Sequence, residues 1–226
     1  MKYQNDIDKM NTNRNLFLMS LPIFVELLLQ LLVGNVDQMM VSRVSQPSVA
    51  AIVNANQIMN LVIIVLSMAS TAVTVILSQY LGAQDEKNAS RTCMVSLVLI
   101  GGVSLAATIL VFAGHTPLYR AIHVPEEVFD EASLYLLIVG AFILVQGLYL
   151  TFSAMIRAFA MVKEVMIISV IMNAMNIVGN AILINGWFGM PQLGAVGAAI
   201  STDISKLVGL ALMIGMFTCF LASSQT

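Results

Sequence analysis
Of the 226 residues, 59% are hydrophobic and only 10% are charged, and the formal net charge is −2. Soluble domains carry about 25% charged residues, and 12 acidic, 10 basic and 2 histidine side chains cannot coat a soluble globule of this length. That excludes soluble, disordered, collagen-like and disulfide-stapled classes as well as a basic nucleic-acid-binding surface, and leaves a membrane protein, which the helical spans below make all-α and polytopic.

A helix needs roughly 20 mostly apolar residues to cross about 30 Å of hydrocarbon. Six such spans are expected, at about 16–36, 50–78, 93–113, 133–155, 165–185 and 195–220. Breaks are expected at Ser42–Ser48, Leu81–Arg91, His115–Asp130, Arg157–Glu164 and Asn185–Gly194. Lys2, Lys9, Arg14, Lys87, Arg91, Arg157 and Lys163 fall on one side, while only Arg43 and Arg120 fall on the other. The positive-inside rule then places both termini in the cytoplasm of a multi-pass cell-membrane protein. His115 and His123 fall in the outer connection between the third and fourth spans, where they read as exposed loop residues. The Asn88-Ala89-Ser90 triplet has the glycosylation pattern but falls on the cytoplasmic side, so it reads as chance.

Polar residues within the spans carry the functional information, because ionisable groups there cost about 2.5–3.5 kcal/mol on insertion scales and usually face a cavity or a partner. In the first span Glu26 and Asp37 return to within about 20° of one face and stand about 16 Å apart, with Gln30 between them. Pro22 removes a backbone hydrogen bond from the inner half of this helix and permits a hinge. The bland alternatives are a partner on a neighbouring helix for Glu26 and an interfacial position for Asp37. The second span carries Gln57, Asn60, Ser67, Thr71, Thr74 and Ser78 on a helical face, fit to line water or to bond across helices. The fifth carries Ser169, Asn173, Asn176 and Asn180, whose amides both donate and accept and can hold a cation, a carboxylate or water. The sixth opens with the small residues Gly194-Ala195-Val196-Gly197-Ala198-Ala199, which allow close helix approach. Asp203 and Lys206 follow at i, i+3, where opposite charges neutralise each other; a structural ion pair is the plain reading. Cys93 and Cys219 stand alone in apolar stretches with no metal spacing. No nucleophile–histidine constellation, HExxH or phosphate-binding glycine loop is visible, so no enzyme and no cofactor are expected.

Taken together, Leu21-Pro22-Ile23-Phe24-Val25-Glu26 and Gly34-Asn35-Val36-Asp37-Gln38-Met39-Met40-Val41-Ser42 resemble the opening helix of the multidrug and toxic compound extrusion (MATE) transporters. Gln79-Tyr80-Leu81-Gly82-Ala83 is similar to that family's Q-x-x-G-A segment, Ala154-Met155-Ile156-Arg157 with Lys163 to its A-x-L-R-G-x-G-x-T-K segment, and Gly194 to Thr202 to its G-x-x-G-A-A-x-x-T segment. The resemblance implies one six-helix lobe of a two-lobe transporter, with the second lobe absent from this chain. It implies either an N-terminal half or a protein that pairs with another lobe. It further implies export of drug-like, often cationic organic compounds in exchange for protons or sodium. By position, Asp37, Asn176, Asn180 and Thr202 would form the cation-coupling set, with sodium near Asp37. Glu26, Gln30, Gln57, Asn60, Tyr135, Asn173, Asp203 and Lys206 would belong to the cavity or its polar network. Asn180 stands where many members have Asp, and Ala158, Ala160 and Val165 replace glycines and a proline. Two rivals are a lipid-linked saccharide flippase of the same superfamily, for which Lys206 alone is a meagre cationic cavity, and a non-transporting membrane scaffold.

Overall fold
The computed structural model describes residues 13–42, 46–121, 126–189 and 191–224. Its helices are α1 (Asn13–Ser42), α2 (Gln46–Gly82), α3 (Glu86–Ala121), α4 (Glu126–Ala141), α5 (Ile143–Ala158), α6 (Val162–Asn185) and α7 (Gly194–Ser224), with a 3-10 turn at Trp187–Gly189. α5 stands centrally, against α2 and α3 on one side and α7 on the other. α6 packs between α7 and α1, and α2 packs against α3, α4 and α5.

Ser20–Ser42, Ile52–Gly82, Glu86–Arg120, Val162–Asn185 and Gly194–Phe220 are each long and apolar enough to cross a membrane. The fourth expected span, 133–155, is not one continuous helix. Phe129–Ala141 and Ile143–Ala158 meet at an angle of 43° and make a sixth span only as a broken pair. At the break Phe142 has φ −100° and ψ 9°, and its N–H donates to Val139 O at 3.2 Å, three residues back. No proline marks the site. Beside it Gly140 lies so close to α3 that a Cβ would stand 2.8 Å from Val111 Cγ1.

The third span also differs from expectation. Instead of ending before His115, α3 runs through Pro117 to Ala121. His115 is therefore on a helix, with Nδ1 3.0 Å from Phe112 O, while His123 lies outside the described residues. The reason is tertiary: Tyr119 is fully buried, its hydroxyl donates to Ala132 O at 2.9 Å, and its ring meets Phe129 edge-on. These contacts anchor the end of α3 to α4 and outweigh the local cost of a proline.

Two connections are shorter than the sequence breaks imply. Between α2 and α3, Gln84 N–H donates to Leu81 O and Asp85 N–H to Tyr80 O, a Schellman ending with Gln84 at φ 57°. Asp85 then caps α3 by accepting from the Asn88 N–H at 3.1 Å. Between α5 and α6, Ala160 N–H donates to Arg157 O and Met161 N–H to Ile156 O, the same motif with Ala160 at φ 62°. Arg157 is thus a residue of α5, and only Phe159–Met161 separate that helix from α6. α6 ends on Gly186, left-handed at φ 72°. α7 then returns so closely along α6 that a Cβ on Gly197 would lie 2.7 Å from Leu183 O, the close approach expected of its small-residue start.

Candidate functional site
The fifth-span asparagines are all turned inward. Asn173, Asn176 and Asn180 are buried on α6, and their partners lie on α7. Asn176 Nδ2 donates to Thr202 Oγ1 at 3.0 Å, Asn180 Nδ2 donates to Asn176 Oδ1 at 3.3 Å, and Ser201 Oγ donates to Asn176 O at 2.9 Å. Three of the four residues expected to couple cations therefore form one amide–hydroxyl chain across the α6–α7 seam. The chain is neutral and rich in hard oxygen donors. The side chain of the fourth, Asp37, lies outside the described residues, although its backbone belongs to α1. Asn173 Nδ2 and Ser169 Oγ, further along the same face, are buried without a hydrogen-bond partner among the described residues.

Glu26 and Gln30 do not share an environment. Gln30 is exposed, whereas Glu26 is 3% exposed and accepts from Arg157 Nη2 at 2.8 Å on both carboxylate oxygens. In the sequence Arg157 stands as an orienting charge and as part of the segment similar to A-x-L-R-G-x-G-x-T-K. No spacing rule could pair two residues 131 positions apart. The contact matters because α1 packs on α6, α2 and α7, and reaches α5 chiefly through this ion pair. Pro22, buried one turn before Glu26, leaves the preceding turn of α1, residues 18–22, deformable.

On α7, Asp203 is buried and both its oxygens lack a hydrogen-bond partner among the described residues. The expected ion pair is thus not drawn together by hydrogen bonding, although Lys206 stands one turn away, half-buried. Tyr135 is buried on α4. On α2 the polar face divides. Thr74 Oγ1 donates across to Ala154 O of α5 at 3.2 Å, but Gln57, Asn60, Thr71 and Ser78 are exposed. The Thr71 and Ser78 hydroxyls only return to their own helix, at Ser67 O and Thr74 O.

A bundle of long apolar helices, with a buried amide chain between two of them and exposed amides along two others, defines a polytopic helical membrane lobe. The MatE family model matches residues 22–182, and the chain belongs to that family. It is 38% identical over 200 residues to "Uncharacterized transporter YisQ" of Bacillus subtilis, covering 88% of this chain and 44% of that protein. It is 30% identical over 191 residues to "Probable multidrug resistance protein NorM" of Chromobacterium violaceum, covering 82% and 40%. Among solved structures, the fold is similar to that of "MATE in the bent conformation", with a TM-score of 0.77 at 23% identity, covering 86% of this chain and 43% of that one. It is similar also to the "Outward-facing conformation of a multidrug resistance MATE family transporter of the MOP superfamily", with a TM-score of 0.78 at 23% identity, covering 86% and 42%. The chain spans less than half the length of the relatives it matches.

Proposed function
We propose that this chain is one lobe of a cation-coupled exporter of drug-like organic compounds, completed by a second six-helix lobe. The observation that carries the reading is the exposed polar edge: Gln30 on α1 and Gln57 and Asn60 on α2 stand uncovered among apolar surfaces such as Leu31, Leu61 and Ile64. An amide left without a partner in hydrocarbon costs about 2–7 kcal/mol. The edge therefore belongs against water or a second lobe, not lipid. The names of the relatives support a multidrug cargo, and the motif resemblance supports coupling to protons or sodium. In this reading Asp37 is the titrating or cation-binding group. Amide and hydroxyl oxygens of Asn176, Asn180 and Thr202 supply the hard donors that sodium takes. Pro22 lets α1 respond, and substrate leaves through differential binding to the inward- and outward-open states. Both termini lie in the cytoplasm.

The test uses the two-lobe protein in proteoliposomes. Asp37→Asn abolishes cation-driven drug transport while expression and folding persist, and retained coupled transport refutes the assignment. Single cysteines at Gln30, Gln57 and Asn60 react with a water-soluble maleimide; an unreactive edge points to the scaffold reading.

A further inference from the structure
A groove of about 480 Å³ runs between α2 and α3, on a different side of α2 from the polar edge. Tyr80, which lines it, follows Asn60 of that edge by twenty residues, or about 200° around the helix. Its floor is made by small or buried residues, Ala69, Ala72, Val73 and Ser96. Small side chains on α2 hold the wall low, and the groove stays open toward the surroundings. Its outer wall on α3 is Val95 and Leu99, 46% and 62% exposed. At the end nearest the α2–α3 turn the lining changes to Tyr80, Asn88, Arg91 and Thr92.

Arg91 is exposed, and neither it nor Tyr80 makes a hydrogen bond or ion pair within the described residues. Lys87, Arg91, Val95 and Leu99 follow at intervals of four, so two cations continue directly into an apolar track. Of the nearby acids, Asp85 has both oxygens engaged, by the Asn88 N–H and Nδ2. Glu86 lies about 140° around α3 from Arg91. Asp85 and Glu86 balance Lys87 and Arg91 in formal charge, but the Arg91 guanidinium itself forms no ion pair with either acid among the described residues. From Arg91 to Leu99 the helix rises about 12 Å, most of the roughly 15 Å half-thickness of the hydrocarbon core.

We propose that this groove is a binding site for an anionic glycerophospholipid. Its phosphate sits against Arg91 and Tyr80, and one acyl chain lies along Val95 and Leu99 over Ala72. Shape and charge agree on this occupant: a guanidinium suits phosphate oxygens, and the apolar track begins one turn deeper. The site is separate from the proposed transport path and stands whether or not that path does.

The full chain in neutral detergent, delipidated and then titrated with palmitoyl-oleoyl phosphatidylglycerol, is read by native mass spectrometry and by the rise in thermal midpoint. Saturable retention of one lipid is expected, with phosphatidylcholine of the same chains bound less tightly. Arg91→Ala weakens phosphatidylglycerol binding roughly fivefold, Arg91→Lys restores most of it, and Ala72→Phe, which fills the groove, weakens both lipids. Val95→Asp, an exposed change one turn below Arg91, gives the same loss and serves if Ala72→Phe does not fold. Glycerol 3-phosphate, which lacks chains, does not compete. The proposal is overturned by unchanged phosphatidylglycerol binding in Arg91→Ala, by equal affinity for the two lipids, or by full competition from glycerol 3-phosphate.

Discussion

Removing either partner of the Glu26–Arg157 pair should destabilise the lobe, but unequally. Arg157 Nη2 stands 2.8 Å from both carboxylate oxygens. With charge centres about 4 Å apart and an effective dielectric of about 20, the attraction is about 4 kcal/mol. Desolvating the two ions costs several kcal/mol each, so the intact pair is close to break-even against an apolar pair of the same size. A broken pair is another matter. Arg157→Met strands a carboxylate that is 3% exposed, whereas Glu26→Leu strands a guanidinium that is 29% exposed and can snorkel toward headgroups or water. The expected losses are about 3–5 kcal/mol for Arg157→Met and about 1.5–3 kcal/mol for Glu26→Leu, the worth of hydrogen bonds to a charged group. The double variant should return to within about 1 kcal/mol of the parent. Reversible unfolding in mixed micelles by increasing SDS, followed by far-UV circular dichroism, measures all three. If Glu26→Leu costs as much as Arg157→Met, or if the double variant is no better than the worse single one, the burial argument is wrong.

Ala160→Gly should stabilise the chain by about 0.5–1 kcal/mol in the same assay. The left-handed φ of 62° strains an L side chain by about 1–2 kcal/mol, more than the entropy glycine loses on folding; a neutral or negative result would show that the Schellman ending is not under strain. Gly197→Ala should destabilise by about 1–3 kcal/mol. Its Cβ would lie 2.7 Å from the backbone oxygen of Leu183, and this outweighs a gain in helix propensity of about 1 kcal/mol. A raised unfolding midpoint would contradict the close α6–α7 approach.

Composition and apolar run length were enough to read a polytopic all-α membrane protein, because hydrocarbon demands about 20 apolar residues per crossing and leaves few other solutions. Motif order also carried the family, since Pro22, Asp37, Gln79 to Ala83 and the Gly194 to Thr202 run keep their spacing along the chain. The asparagine stripe of α6 was legible for the same local reason: residues three and four apart share a helix face.

What the chain's local pattern could not contain is which faces meet. Glu26 and Gln30 sit on one stripe by periodicity, yet Arg157 from a distant helix draws one inward and leaves the other uncovered. α3 continues past Pro117 because Tyr119 is buried against α4, and the fourth span breaks at Phe142, with Gly140 pressed against Val111 alongside, although no proline marks the place. Helix identity and membrane character follow from short-range periodicity and solvent transfer, so sequence alone determined them. The ion pair, the bend, the α6–α7 amide chain and the open groove depend on contacts between residues far apart in the chain. Only the tertiary structure brings those residues together.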